Sequence, residues 1–351
     1  MLLLALAFGM ASGAPPSASD ASLSLASHVT GQGCAPKLVS KAEHAFLEAQ
    51  IACDAYLGLR LVDEVREGRD KEPRVRALVQ LLDDALVRGQ LPFRSMPTRT
   101  IDGVAISSSV LSRGYLMLLL SGLARIDALP PERVALYDGI ASSLVDDLAA
   151  GTWLESFRHG RWPCDSALAA SGLKLHGALR TNPASAQAGD ALIARLLDAL
   201  HAPGGFVTRV NTAGKPIERT PRGVTLAWTA GFLSLSDHAA GRAFADVLVR
   251  DFCDDPAILP GIAACREWPR GVQRKADAVS GPIVLGYGMG ASSLAIAAAR
   301  ASGLADWADK LTALAHTAPK TGRFVDVVAD PARYPLENAI LLWGETAKTW
   351  L

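Results

Sequence analysis

From about residue 36 onward the chain alternates between two textures. Stretches with apolar residues three and four positions apart are separated by short breaks rich in Pro and Gly. Residues 36–67 set Leu38, Ala42, Ala45, Phe46, Ala49, Ala52 and Cys53 along one face of a helix. Residues 73–89 continue with Val75, Leu78, Leu81, Leu82 and Leu86 in the same rhythm. The spacing predicts further helix pairs over 104–126 and 130–148, 163–179 and 184–200, 224–235 and 241–252, and 283–301 and 305–316. Residues 334–351 supply at least one more helix. Two inserts interrupt the rhythm. Residues 206–210 and 216–218, flanking Gly214, read as a small β-hairpin. Residues 253–279, with Pro256, Pro260 and Pro269, read as a long irregular loop, a kind of segment that is usually functional or mobile.

Eleven or so helices in consecutive pairs suit either an open solenoid or a closed ring. Two features favour the ring. The pairs share no repeated sequence period. The first helix of several pairs is also small and apolar on all sides, around 107–109, 167–172 and 286–299, and such a helix belongs inside. The expected fold is all-α, an (α/α)6 toroid with one small β-hairpin insert, with residues 33–351 as a single domain. Composition agrees: hydrophobic residues make up 50% and aromatics only 6%, so the apolar content is mostly Ala and Leu, the strongest helix formers. The 35 basic and 35 acidic residues balance and no basic run stands out, which argues against nucleic acid as a partner.

Residues 1–14 are a short apolar run followed by small residues, resembling the core and cleavage site of a secretory signal without its basic start. The run is too short to span a bilayer. A plain hydrophobic tail is the other reading. The expectation is export, to a bacterial periplasm, with no stable membrane span once the signal is removed. Residues 15–32, rich in Ser and Ala, read as a flexible linker. None of the five cysteines forms a CxxC, which excludes zinc-ribbon and thioredoxin arrangements. In an oxidising compartment, proximity pairs Cys34 with Cys53 and Cys253 with Cys265 and leaves Cys164 free; simple buried thiols are the alternative.

In such a ring the inner helices run one way, so their N-termini meet at one mouth, with free N–H groups and partial positive charge. The segment before one of these starts is the densest in chemistry, with Glu155, Arg158, His159, Trp162, Cys164 and Asp165. Pro163 fits a first helical turn, where Asp165 would be stabilised as a carboxylate. Asp165 or Glu155 would act as acid or base, Trp162 as a stacking platform, and Arg158 and His159 as substrate contacts. Cys164, with a pKa lowered by the helix start, would be a nucleophile or acid. The same residues also fit a first-turn cap, a core Trp and a small buried hydrophobe.

Asp277 is the second candidate carboxylate, followed by Ser280 as an N-cap and Pro282 as an early helical residue. Tyr287 and Glu337 are further candidate contacts, although Glu337 and Asn338 also suit ordinary capping, and Asp102 precedes another helix start. Residues 286–291 mimic a dinucleotide-binding glycine run but lack a βαβ setting, so their glycines are read as allowing close helix packing. Ser171 to Lys174, Ser236-Asp237-His238 and Lys320-Thr321-Gly322 mimic the boxes of serine β-lactamases, with His238 where an Asn is required. The seven histidines include no HExxH pair, so no metal and no cofactor is expected, and His176 reads as a satisfied core residue.

With the helix start at Trp162-Pro163-Cys164-Asp165 and the segment 277–290, the chain resembles the (α/α) toroid group of bacterial enzymes. That group includes glycoside hydrolases, uronate epimerases and lyases, and the linalool dehydratase/isomerase type. The resemblance covers most of 36–351 at the level of helix pairing. Its dehydratase/isomerase members are exported, carry a disulfide and use cavity cysteines, which suits Cys164; here, however, Leu173 and Leu175 stand where a second cysteine on that helix would be. Its glycoside-processing members use paired carboxylates, which would be Asp165 or Glu155 with Asp277. The leading expectation is an exported enzyme performing acid–base hydrolysis or elimination on a small-molecule or oligosaccharide substrate in the ring mouth. A non-catalytic envelope binding protein and a dehydratase/isomerase of a small alcohol using Cys164 are the alternatives.

Overall fold

The computed structural model describes residues 18–34, 48–150, 153–255, 261–277, 279–317, 328 and 330–351. The signal-like segment 1–14 and the expected helical stretch 36–47 lie outside the described residues.

Among the described residues the helices are α1 (Ala18–Gln32), α2 (Ala49–Arg66), α3 (Lys71–Val87), α4 (Val110–Arg125), α5 (Val134–Leu148), α6 (Ser166–Leu179), α7 (Pro183–Leu200), α8 (Gly223–Ser236), α9 (His238–Phe252), α10 (Met289–Ala301), α11 (Ala305–Thr317) and α12 (Pro335–Thr346). The even-numbered helices pack in sequence, α2 on α4, α4 on α6 and so on to α12, and α12 returns to α2. The odd-numbered helices lie outside them, α1 covering the seam between α2 and α12. The protein is an (α/α)6 toroid.

Sequence explains which helix goes where. Every residue of α8 is buried and none is charged, so no face of it can meet water. The outer α9 buries Ala240, Gly241, Phe244, Ala245, Leu248 and Phe252, a single stripe at three-and-four spacing. Small residues let the inner ring close tightly. A Cβ on Gly114 of α4 would sit 2.6 Å from Leu168 Cβ of α6, and one on Gly172 of α6 would sit 2.6 Å from Met117 Cβ of α4. The starts are capped locally, Asp237 accepting from the Ala240 N–H and Asn182 from the Ser185 N–H.

The middle of the ring is filled. Tyr56 stacks on Phe232 (5.9 Å) and Trp343 (5.3 Å), with Tyr115 and Trp228 edge-on to Phe232. Below this cluster the segment after α12 crosses the ring. The Trp350 N–H donates to Leu235 O (2.8 Å), Trp350 O accepts from Arg125 Nε (2.9 Å), and its indole donates to Asp63 Oδ1 (2.9 Å). The open end is therefore the one where the inner helices begin.

Several expectations are corrected. Most of the supposed linker 15–32 is α1, whose Leu25, Ala26 and Val29 are buried against α2 and α3; its Ser and Ala residues had masked a short apolar stripe. The single expected hairpin, Arg209–Val210 (β3) with Pro216–Glu218 (β4), is present, but three more two-stranded pairs accompany it. Thr98–Ile101 (β1) pairs with Val104–Ser107 (β2) through Asp102 and Gly103, both at positive φ, so Asp102 marks a hairpin turn and not a helix start. Cys253–Asp254 (β5) pairs with Ala264–Cys265 (β6), and Ile283–Val284 (β7) with Tyr287–Gly288 (β8). Hence α10 begins at Met289, six residues later than the apolar run suggested, and Ser280 and Pro282 precede the hairpin without capping a helix. Disulfides join Cys34 to Cys53 and Cys253 to Cys265, and Cys164 is free and buried. His176 is satisfied in the core by Ser185 Oγ (3.0 Å) and Asp138 Oδ1 (2.9 Å). No described helix is long and apolar enough to cross a membrane.

Candidate active site

At the open end, the starts of α2, α6 and α8 surround a cavity of about 370 Å³, within the range of small-molecule sites. Glu48 stands at the start of α2, Cys164 and Asp165 at the start of α6, and Arg222, Val224, Thr225 and Trp228 in and before the first turns of α8. The β3–β4 hairpin adds Thr208, Arg209 and Glu218, and the loop before α10 adds Asp277 and Val279. Phe157 and Trp162 form an aromatic wall, Phe157 stacked on Phe93 (5.4 Å) and edge-on to Trp162 (6.1 Å). Trp228 belongs both to this cavity and to the central aromatic cluster, so it forms the floor.

Two carboxyl groups in this wall are nearly shut off from water. Burial pushes Glu48 up to about 8, partly opposed by its own backbone N–H and reinforced by Asp165. Burial pushes Asp165 up to about 7, against the smaller downward pull of the Ser156 hydroxyl and the Cys164 thiol. Both stand at helix starts, where the helix dipole favours the ionised form by about 0.3–1 kcal/mol. Desolvation of a fully buried carboxylate is worth up to about 3–5 pKa units, or roughly 4–7 kcal/mol, so desolvation wins. This corrects the expectation that the helix start keeps Asp165 ionised. Glu48 was missed by sequence reasoning because the pattern placed the helix start near residue 36, so this residue fell well inside a helix. Its signal was its place just before the small residues Ala49 and Ala52 of an inner helix.

Asp277 shares the cavity with Asp165 but differs in state. Burial alone would raise its carboxyl; the Arg222 guanidinium (Nη1 to Oδ2 2.8 Å, Nη2 to Oδ1 2.9 Å) overrides this and holds it below the usual carboxylate range. Arg222 is itself pinned between Asp277 and the fully buried Glu267 (Nε to Oε1 2.5 Å), over the face of Trp268. Asp277 also accepts from the Val279 and Ser280 N–H groups, so it is a fixed anion with little freedom to trade protons.

The other candidates fare as follows. Cys164 lines the cavity, but burial and then the adjacent Asp165 raise its thiol well above the ordinary range; its Sγ donates to Asp165 Oδ1 (3.6 Å). The expected lowering by the helix start is overturned by desolvation, and the thiol stays protonated. Glu155 does not line the cavity; it pairs with Arg161 (3.1 Å). Arg158 and His159 are exposed at the tip of the tight turn closed by the Phe157–Gly160 bridge, and they point the chain back instead of lining the site. Tyr287 sits in β8 outside the cavity, where its hydroxyl donates to Asp254 Oδ2 (2.9 Å) under the Arg266 guanidinium. Glu337 lies in the first turn of α12 and is not part of the cavity wall. Trp162 is in the wall, with the Arg209 guanidinium 5.0 Å over its ring. Among the described residues no cluster of His, Cys, Asp and Glu suits a metal ion.

No protein-family model and no curated protein matches the chain. Among solved structures it is similar to a glycoside hydrolase family 76 mannosidase from Bacteroides thetaiotaomicron VPI-5482, at 9% identity and a TM-score of 0.48, over 94% of this chain and 98% of that one.

Proposed function

We propose that the cavity is the active site of an exported enzyme that cleaves a glycosidic bond by acid–base chemistry. The observation that carries this reading is the pair of buried, mutually repelling carboxyl groups, Glu48 and Asp165, in one aromatic-walled cavity. Two such groups, pushed up to about 8 and about 7, supply an acid and a base near neutral pH in the same site. Glu48, which holds its proton longer, protonates the glycosidic oxygen as the bond from that oxygen to the anomeric carbon breaks. Asp165, which ionises first, takes a proton from the water whose oxygen attacks the anomeric carbon. Proton exchange with solvent then restores both groups. Trp162, Phe157 and Trp228 offer apolar faces to the C–H faces of a sugar ring, and Asp277 with Arg222 offers fixed polar partners to its hydroxyls. The two disulfides support the exported setting, since such bonds persist in oxidising compartments.

The test is a screen of glycosides with the intact protein, Asp165→Asn and Glu48→Gln, following reducing ends and the uptake of oxygen-18 from water. Wild-type turnover that incorporates label and disappears in both variants is the expected result. Turnover without label would convert the reading to elimination. Binding of sugars with no turnover on any substrate would sink catalysis and leave a binding protein.

A further inference from the structure

Among the described residues one charged group in the cavity wall has no counter-charge. Arg209, on β3, lines the cavity, yet among the described residues its guanidinium makes no ion pair and no hydrogen bond, and its Nε is buried without an acceptor. Glu218 lies directly across the hairpin in register with it, but Glu218 pairs with Arg274 (3.5 Å). The second arginine of the wall, Arg222, is answered twice, by Glu267 and Asp277. Arg209 has only the face of Trp162, 5.0 Å from its carbon centre. Stacking on an aromatic ring fixes the plane of a guanidinium and leaves its edge as a rigid fork matched to the paired oxygens of a carboxylate, sulfate or phosphate.

We propose that Arg209 anchors an anionic substituent of the substrate, so that the sugar in this cavity is an acidic one carrying a carboxylate, a sulfate ester or a phosphate ester. The proposal rests on reading the cavity as a sugar site. Three features of the surroundings agree with it. Glu48 carries little negative charge while it holds its proton. The converging starts of α2, α6 and α8 add partial positive charge. Two other carboxylates of the wall are already committed, Asp277 to Arg222 and Glu218 to Arg274. The three acid groups share one demand, a guanidinium with open hydrogen-bonding capacity, and Arg209 meets it.

The test is calorimetric titration of the intact protein with glucuronic acid, glucose 6-sulfate, glucose 6-phosphate and glucose, none of which has a glycosidic bond to cleave. At least one acid should bind about ten-fold or more tightly than glucose, as a charge-assisted hydrogen bond warrants. That preference should shrink with added salt, and which acid shows it identifies the substituent. In Arg209→Gln the ratio should fall towards one; in Arg209→Lys, which keeps the charge, part of it should remain, and this variant stands in if Arg209→Gln does not fold. Equal affinity for all four sugars, no binding of any acid, or a preference that survives Arg209→Gln would overturn the proposal. Turnover abolished by Asp165→Asn without any acid preference would sink this inference alone; acid preference without turnover would sink the catalytic reading alone.

Discussion

Glu48 and Glu64 stand at opposite ends of α2, about 24 Å apart by the rise of a helix, and both are buried. Their partners differ. Glu64 lies between two guanidiniums, accepting from Arg60 Nε and Arg74 Nε at 2.7 Å each, with Ser22 Oγ of α1 donating to both its oxygens at 3.0 Å. Among the described residues Glu48 has no cation beside it and faces another acid, Asp165. The same residue type at the same depth thus serves two ends. A buried carboxylate surrounded by donors ties α1, α2 and α3 together, whereas one surrounded by apolar walls and a like charge keeps a proton available near neutral pH. Burial by itself does not decide a carboxyl's proton affinity; the presence or absence of a neighbouring counter-charge does.

Substitutions at the two ends test this contrast. At the mouth, Asp165→Asn and Glu48→Gln should lower turnover about 10²–10⁴-fold, the usual worth of a general acid or base, while the unfolding midpoint stays or rises, as judged by steady-state kinetics beside thermal melting. At the other end, Glu64→Gln should lower the unfolding free energy by about 3–5 kcal/mol, because it strips both guanidiniums of the carboxylate between them; chemical denaturation measures it, and a neutral result would make the contrast false. Gly160→Ala should be milder. A Cβ there would lie 2.2 Å from Trp162 Cζ3, so the indole must shift in the cavity wall, costing about 1–3 kcal/mol by overpacking and weakening sugar affinity in a binding titration.

The pH dependence of stability offers a further test. Glu48 binds its proton more tightly folded than unfolded, about 8 against 4.5. The proton-linked stabilisation is therefore complete below pH 4.5 and is lost as pH rises towards 8. Asp165 adds the same trend between 3.8 and about 7. Melting midpoints taken across that window should fall less steeply in Glu48→Gln than in wild type. Equal slopes would mean that Glu48 ionises normally.

Much of the ring was legible from patterning. The runs that became α4, α6, α8 and α10 are too apolar to lie on a surface, and their amphipathic partners follow at once, so closure into an inner and outer layer follows from burial alone. The turn elements were less legible. Asp102-Gly103 between alternating residues is a strong hairpin signal, but the strand that follows it, Val104–Ser107, adjoins the apolar run of α4 and reads as its first turn. In the site, local density pointed to the stretch holding Trp162, Cys164 and Asp165, yet density on a short loop also swept in Arg158 and His159, which its tight turn carries outward. Arg209 and Glu48 were unreadable for a different reason. Their significance lies in what does not surround them, and that is a property of the assembled ring, to which far-apart segments contribute.

The aromatic cluster under the cavity has one more consequence. Tyr56, Tyr115, Phe232 and Trp343 are each at most 1% exposed, so no water-filled bore runs between them, and the segment around Trp350 seals the far side. The toroid is a cup with a single rim. A long polymer cannot be threaded through it, and under the proposed hydrolysis whatever is released must leave by the route along which the reactant came, so departure of one molecule has to precede arrival of the next.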